Sequence, residues 1–181
     1  DGATASLTAE KTVIPAGGIV ALTCSVDGST DWKFDWFRQE SESSTAQLIR
    51  SNEPGGVLFI SEGGVYSCRG GRGDPVFYTE TSREVTIQKT VSKPTVTCQP
   101  YGPVVYKGEK ISLRCLVREG GGTQWTYEWT QNMKSANWNS SSSSEYYIYS
   151  VSGSDHGKYS CRAAGGHQLT EWSDAYRLTV T

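Results

Sequence analysis

The chain has 181 residues, of which 36% are hydrophobic and 20% are charged, and its formal net charge is −2. This balance argues against the concentrated basic surface that nucleic-acid-binding proteins need. No apolar run reaches the roughly 20 residues of a membrane-spanning helix, so we expect no membrane insertion within this stretch. Twenty Gly and ten Tyr beside a single Met predict β-structure with many turns.

The chain contains an internal repeat. Residues 32–36 (WKFDW) recur as residues 125–129 (WTYEW), 93 positions later. Residues 62–68 (EGGVYSC) recur as residues 155–161 (DHGKYSC) with the same offset. Because there are only two copies, the repeat indicates tandem domains rather than a solenoid. The sequence therefore predicts one domain over residues 1–90 and a second over residues 91–181.

The first copy reads as a β-sandwich. Its short alternating runs are separated by Gly, Ser, Asn and Pro clusters, and no stretch has a sustained helical period. Cys24 is followed by Trp36 and then by Cys68, which lies 44 residues after Cys24, and Tyr66 stands two positions before Cys68.

The second copy repeats this skeleton with Cys115, Trp129, Tyr159 and Cys161. The skeleton resembles that of immunoglobulin domains, which implies Cys24–Cys68 and Cys115–Cys161 disulfides between two sheets. In that pattern each Trp packs on its disulfide, and each Tyr closes a corner by bonding back to the backbone. We therefore predict an all-β protein of two tandem immunoglobulin-like sandwiches of C2/I-like type, bent at a short join.

Disulfides indicate the compartment. They form and persist in oxidising environments, and small sandwiches depend on them for stability. We therefore expect an extracellular or luminal protein.

Two further segments narrow the family. Residues 91–96 (VSKPTV) at the join and residues 171–178 (EWSDAYRL) near the end resemble the leukocyte receptor superfamily. The resemblance is greatest to the Fc receptor-like and leukocyte immune-type receptors of bony fish, which are related to Fc receptors and to killer-cell and leukocyte immunoglobulin-like receptors. One departure is visible, since residues 60–68 are fewer than the corresponding residues 148–161.

The resemblance implies a protein ligand, either the Fc region of immunoglobulin or an MHC class I-type molecule. It places the ligand contacts on the loops 119–124, 135–144 and 163–171 and on the join. The ligand-binding residues expected on this basis are Gly120, Gly121, Gly122, Trp138, Gly165, Gly166, His167, Gln168, Val91 and Lys93.

Several residues carry two interpretations. Trp32 and Trp125 share a strand face with the core Trp of their copies, which favours packing over ligand contact. Trp138 lies in a polar stretch, where it either contacts a ligand or packs locally. Asn139 begins an acceptor motif for N-glycosylation in a serine-rich loop, so we expect a glycoprotein.

Two short features also need an explanation. Cys98 is the unpaired fifth cysteine, and it serves either as a buried small hydrophobe or in a disulfide between chains. Residues 72–74 (RGD) match the integrin-binding tripeptide, but Pro75 restricts Asp74 to an extended conformation that suits that recognition poorly.

The sequence does not favour an enzyme. Its two histidines, His156 and His167, have no nucleophile or metal-ligand pattern around them, so we expect no catalysis, cofactor or metal. The leading interpretation is a monomeric, extracellular fragment of an immune receptor that binds a protein ligand, either the ectodomain of a cell-surface receptor or a secreted form. The alternative is a cell-adhesion or structural immunoglobulin tandem that binds itself or another surface protein.

Overall fold

A computed structural model describes residues 3–28, 30–41, 44–118, 122–135 and 142–181. The chain divides into two compact units, Asp1–Thr90 and Val91–Thr181. Both units are two-sheet β-sandwiches, so the predicted all-β class is confirmed. The helical structure of the described ranges is a single 3-10 turn, Gly153–Asp155.

The described residues of the first unit form nine strands. They are β1 (Ala5–Ala9), β2 (Val13–Ile14), β3 (Val20–Val26), β4 (Lys33–Gln39), β5 (Gln47–Glu53), β6 (Val57–Ile60), β7 (Gly64–Arg72), β8 (Phe77–Tyr78) and β9 (Val85–Val91). One sheet has the order β1-β3-β6 and the other β5-β4-β7-β9, and neighbours in both are antiparallel. Strand β2 pairs in parallel with β9, and β8 pairs with β7.

The second unit repeats this topology. Its strands are β10 (Thr95–Gln99), β11 (Val104–Val105), β12 (Ile111–Leu116), β13 (Thr126–Gln131), β14 (Lys134–Ser135), β15 (Glu145–Ile148), β16 (Gly157–Gly165), β17 (Gln168–Thr170) and β18 (Tyr176–Val180). One sheet has the order β10-β12-β15, and the other joins β14, β13, β16 and β18. Strand β11 runs parallel to β18, and β17 pairs with β16.

The core of the first unit is built on a disulfide that joins its two sheets. Cys24 on β3 is bonded to Cys68 on β7, and Trp36 on β4 is buried in the same cluster. The buried Tyr66 donates its hydroxyl to the carbonyl of Glu62 at 2.5 Å. Trp32 is also buried in this cluster and therefore contributes to packing.

The second unit has the same arrangement. Cys115 on β12 is bonded to Cys161 on β16, and Trp129 lies buried in the same cluster. The buried Tyr159 donates its hydroxyl to the carbonyl of Asp155 at 2.7 Å. Burial raises the pKa of Tyr159 strongly, so its hydroxyl stays protonated and remains a donor at physiological pH.

The connection before the second cysteine differs between the units. Strands β6 and β15 have four residues each. Three residues join β6 to β7, whereas residues 149–156, which include the 3-10 turn, join β15 to β16. The shortening visible in the sequence therefore lies in the turn and leaves the strand intact.

Both units interrupt their last long strand in the same way. Strand β8 is separated from β9, and β17 from β18, by residues outside the ladder. In the first gap, Cys68 donates its backbone N–H to the hydroxyl of Ser82 at 3.0 Å. In the second, Cys161 donates its N–H to the hydroxyl of Ser173 at 2.9 Å. A serine hydroxyl thus replaces the missing ladder acceptor for a buried N–H group.

These serines give a test of the interrupted strand. Because Ser82→Ala or Ser173→Ala leaves a buried N–H without its acceptor, each should lower the free energy of unfolding of its unit by about 1–3 kcal/mol. Urea titration followed by circular dichroism measures the effect. Ser25→Ala, at an exposed position on β3, is the matched control and should change stability by less than about 0.5 kcal/mol. Equal stability of Ser25→Ala and Ser173→Ala would contradict this role.

Candidate protein-binding surfaces

The join residues were predicted to contact a ligand, and for Val91 this is wrong. The Val91 side chain is only 3% exposed and packs against Trp125 and Ala163. It is therefore a core residue of the second unit. Lys93 is exposed, and its Nζ lies 2.8 Å from Oδ1 of Asp174. The hydrogen bond to Asp174 raises the pKa of Lys93.

Residues 163–171 form a tight hairpin rather than the predicted loop. Strand β16 continues to Gly165, and β17 begins at Gln168. The turn residues Gly166 and His167 both have positive φ, 56° and 58°, as in the two-residue turns that match the twist of a hairpin. A Cβ on Gly165 would lie 2.4 Å from the carbonyl oxygen of Gln124. Gly165 is therefore a packing position, and His167 and Gln168 are half-buried.

The other expected loop residues divide into two groups. Gly122 is exposed, with φ +88° and open space around its Cα, so a partner backbone has room to approach it. Gly120, Gly121, Trp138 and Asn139 lie outside the described residues.

The Arg-Gly-Asp tripeptide begins where β7 ends. The Arg72 guanidinium lies 3.1 Å from a carboxylate oxygen of Asp31 and 4.2 Å from the centre of the Trp32 ring. Its charge is therefore engaged within the first unit, which further disfavours the integrin interpretation.

The outer face of the β13–β16 sheet carries Trp172, which in the sequence contributes only to the family resemblance. Trp172 is 37% exposed, and the Arg162 guanidinium lies 4.7 Å from its ring centre. Arg162 also bonds both carboxylate oxygens of Glu128, at 3.3 and 3.1 Å. The alternation of β13 and β16 puts Glu128 and Arg162 outside, opposite to the buried Trp129 and Cys161. The outward aromatic was the signal that could have revealed this surface.

An exposed methionine borders the same surface. Met133 is 92% exposed and lies in the two-residue turn between β13 and β14. Asn132 and Met133 have φ of 51° and 71°. Asn tolerates this left-handed region, but for Met it costs on the order of 1 kcal/mol. Met133 and Trp172 line one groove, together with Thr130, Ser160 and Ala175. We call these residues, with Arg162 and Glu128, the Trp172 surface.

The first unit has a related arrangement around Arg69. Arg69 pairs with the buried Asp35 at 2.9 Å, and its guanidinium lies 3.8 Å from the centre of the Tyr78 ring. The centre of the Phe37 ring lies 5.4 Å from the same guanidinium. Asp35 also accepts the backbone N–H of Asn52 at 3.0 Å. The Arg69 and Arg162 side chains are about equally exposed, at 32% and 35%, so the two arginines differ in their partners rather than in their accessibility.

Residues 93–164 match the immunoglobulin domain family. The chain is an immunoglobulin-domain protein. It is 31% identical over 169 residues to mouse immunoglobulin superfamily member 1, 29% identical over 164 residues to mouse peroxidasin homolog, and 27% identical over 157 residues to human hemicentin-1. These alignments cover 82%, 83% and 82% of the chain, and 12%, 11% and 3% of those proteins.

Solved structures show the same fold. Murine CEACAM1b matches with a TM-score of 0.56 and 16% identity, covering 98% of this immunoglobulin-domain chain and 100% of that one. A chain from the complex of the mouse coronavirus receptor-binding domain with its murine receptor matches with a TM-score of 0.59 and 17% identity, over the same shares. In the described part of the chain, no helix is long and apolar enough to cross a bilayer.

The fifth cysteine of this immunoglobulin-domain protein lies at the edge of the second core. Cys98 on β10 is a free thiol that is half-buried and packs against the core cluster. A Cβ on Gly102 would lie 3.1 Å from its sulfur and even closer to the hydroxyl of Tyr176, so the thiol is tightly enclosed on that side. Burial raises the pKa of Cys98, which leaves less of the reactive thiolate at neutral pH.

Alkylation rates test this placement. We expect Cys98 in the folded protein to react with iodoacetamide at pH 8 about tenfold more slowly than in urea without reductant, because burial limits both access and ionisation. Mass spectrometry of the modified peptide gives both rates. Raising the pH should speed the folded reaction, since ionisation of the thiol then increases. Equal rates in buffer and in urea would show that Cys98 is not enclosed.

Proposed function

We propose that this chain is the ligand-binding part of an extracellular immune receptor, and that it binds a protein rather than catalysing a reaction. The two inter-sheet disulfides support an oxidising, extracellular location. The observation that carries the proposal is the Trp172 surface, where an exposed Trp, an Arg and an exposed Met lie together. Trp and Arg are the residues most enriched among binding hot spots, and Met is enriched at interfaces.

The Trp172 surface is arranged for binding before a ligand arrives. Glu128 holds the Arg162 guanidinium with two hydrogen bonds, and the guanidinium lies over the Trp172 ring. Fixing these side chains in advance reduces the entropy lost on association. Met133 adds flexible apolar contact area at the rim, which adapts to the shape of a partner.

The finer proposal is that the ligand is immunoglobulin Fc or an MHC class I-type molecule. It rests on the resemblance to leukocyte receptors together with a surface suited to proteins. Gly122 and the Gly166–His167 turn remain candidate contacts, whereas the buried Val91 does not. A chain of similar fold comes from a complex of a coronavirus receptor-binding domain with its murine receptor, which supports protein binding as a role for this fold.

A second candidate is a cell-adhesion or structural immunoglobulin tandem that associates with its own kind. The observation that favours it is an exposed, uncharged sheet edge on the first unit, where Val57 and Phe59 face solvent. This edge and the Trp172 surface lie in different units, so the two candidates depend on different residues.

A binding experiment tests the receptor proposal. The two-domain protein is passed over immobilised immunoglobulin Fc and, separately, over MHC class I molecules at concentrations up to about 50 μM. We expect binding to one of them, and Trp172→Ala should weaken it at least about tenfold because it removes a hot-spot side chain.

Two comparisons make the result decisive. Tyr149→Ala removes another exposed aromatic side chain, in the connection after β15 in the same unit, and should leave the affinity within about twofold. Met133→Ala should weaken binding severalfold. Absence of binding to both probes would contradict the finer proposal, and binding that Trp172→Ala does not change would exclude the Trp172 surface.

A further inference from the structure

Strand β6 of the first unit has an unpaired edge. It is the outermost strand of its sheet, and within the described ranges no strand pairs with its other side. Cys24 donates its N–H to the carbonyl of Gly56 at 2.7 Å, which fixes the phase of the ladder between β3 and β6. By antiparallel alternation, Leu58 and Ile60 then exchange hydrogen bonds with β3. The backbone groups of Val57 and Phe59 therefore point toward the free side.

The side chains along this edge are apolar and exposed. Val57 is 48% exposed and Phe59 is 64% exposed, while Ile19, the residue before β3, is 60% exposed. The other outward positions within β1 and β3 are the uncharged Ser6, Thr8, Ala21, Thr23 and Ser25. The carboxylate of Glu10, which follows β1 on the far side of β3 from β6, accepts the N–H of Ala21 at 3.1 Å. Natural edge strands are kept from pairing with another chain by being short or by carrying a charged side chain, a Pro or a bulge. Strand β6 is short, with four residues, but it carries no charge, Pro or bulge.

The equivalent edge of the second unit is protected. Strand β15 pairs with β12 as β6 pairs with β3. On β15, Glu145 bonds Arg114 at 3.0 Å and accepts the hydroxyl of Tyr147 at 2.6 Å. The Lys110 ammonium lies 5.2 Å from the Tyr149 ring centre. The two copies therefore share this edge in their topology, but only the first copy lacks charge there.

We propose that β6 is a docking edge for the β6 strand of a second copy of this chain, paired antiparallel about a two-fold axis at Leu58. In this register Val57 lies opposite Phe59 of the second copy, and each of these residues supplies backbone groups that point outward. Directly opposite residues on an antiparallel pair put their side chains on the same face. The Val57 and Phe59 side chains of both copies therefore form one continuous apolar strip.

Charge favours a second copy over an unlike partner. A charged strand seated on this neutral surface would lose hydration without gaining an ion pair. A second copy brings an equally neutral surface, and a two-fold contact requires self-complementarity of this kind.

The expected contact is small, so association should be weak. This proposal departs from the monomer expected from the sequence, which stays a prediction. It rests on the second candidate function, association of this chain with its own kind, and is independent of the receptor proposal, because the Trp172 surface lies in the second unit.

Sedimentation velocity of the two-domain protein tests the proposal. We expect the sedimentation coefficient to rise with concentration up to about 1 mM, as a weak dimer requires. Phe59→Arg should abolish this rise, because the apolar strip then carries two like charges. Tyr147→Arg is the matched control at the equivalent position of β15 and should associate as the wild type does. Circular dichroism establishes that each variant is folded.

Three outcomes would overturn the proposal. A wild type that stays monomeric at 1 mM overturns the proposal. Self-association that Phe59→Arg leaves unchanged would also overturn it, because the contact then lies elsewhere. The same holds if Tyr147→Arg removes the self-association.

A cross-linking experiment tests the register. Val57→Cys and Phe59→Cys proteins are mixed and treated with a short bismaleimide. Because Val57 lies opposite Phe59 of the second copy, the mixture should give several times more covalent dimer than either variant alone. Wild type, which retains Cys98, is the blank. Equal yields in the mixed and unmixed samples would contradict this register.

Discussion

The disulfide between the sheets of each unit is the constraint on which the rest of the structure depends. It joins β3 to β7 in the first unit and β12 to β16 in the second, and in each case a buried Trp lies in the same cluster. Once both cysteines point inward, strand alternation fixes the direction of every neighbouring side chain. Arg69 and Arg162, which directly follow Cys68 and Cys161 in the chain, therefore face outward. The covalent bond therefore determines which side chains are available for binding.

Duplication gives the protein two copies of one interior with different exteriors. Each copy retains its tyrosine corner and the serine hydroxyl that completes the interrupted last strand. The exteriors differ because interior packing does not constrain them. In the first unit Arg69 contacts Asp35, Phe37 and Tyr78, whereas in the second unit Arg162 contacts Glu128 and Trp172. The same topology thus presents different outer side chains on its two copies, and the proposed binding surface and the proposed docking edge lie on different copies.

The interior could be predicted from the sequence, and the exterior could be predicted only in part. The Cys-Trp-Tyr-Cys spacing and the period of two are local signals, so they indicate the sandwich class directly. The burial of Val91 depends on its packing against Trp125 and Ala163, which lie more than thirty residues away in the chain. The sequence predicts a loop over residues 163–171 because Gly165 and Gly166 are typical loop residues. The structure instead uses Gly165 for close packing and Gly166 for a turn. The sequence does not predict a turn at Met133, because Met disfavours the left-handed backbone conformation that it has there.

Disulfide mapping tests the central constraint most directly. A non-reducing digest of the protein, analysed by mass spectrometry after blocking of thiols in denaturant, identifies every linked pair of peptides. The account predicts the pairs Cys24–Cys68 and Cys115–Cys161, with Cys98 recovered as the blocked thiol. A peptide pair that contains Cys98, or one that links a cysteine of the first unit to a cysteine of the second, would contradict the account and the outward placement of both surfaces.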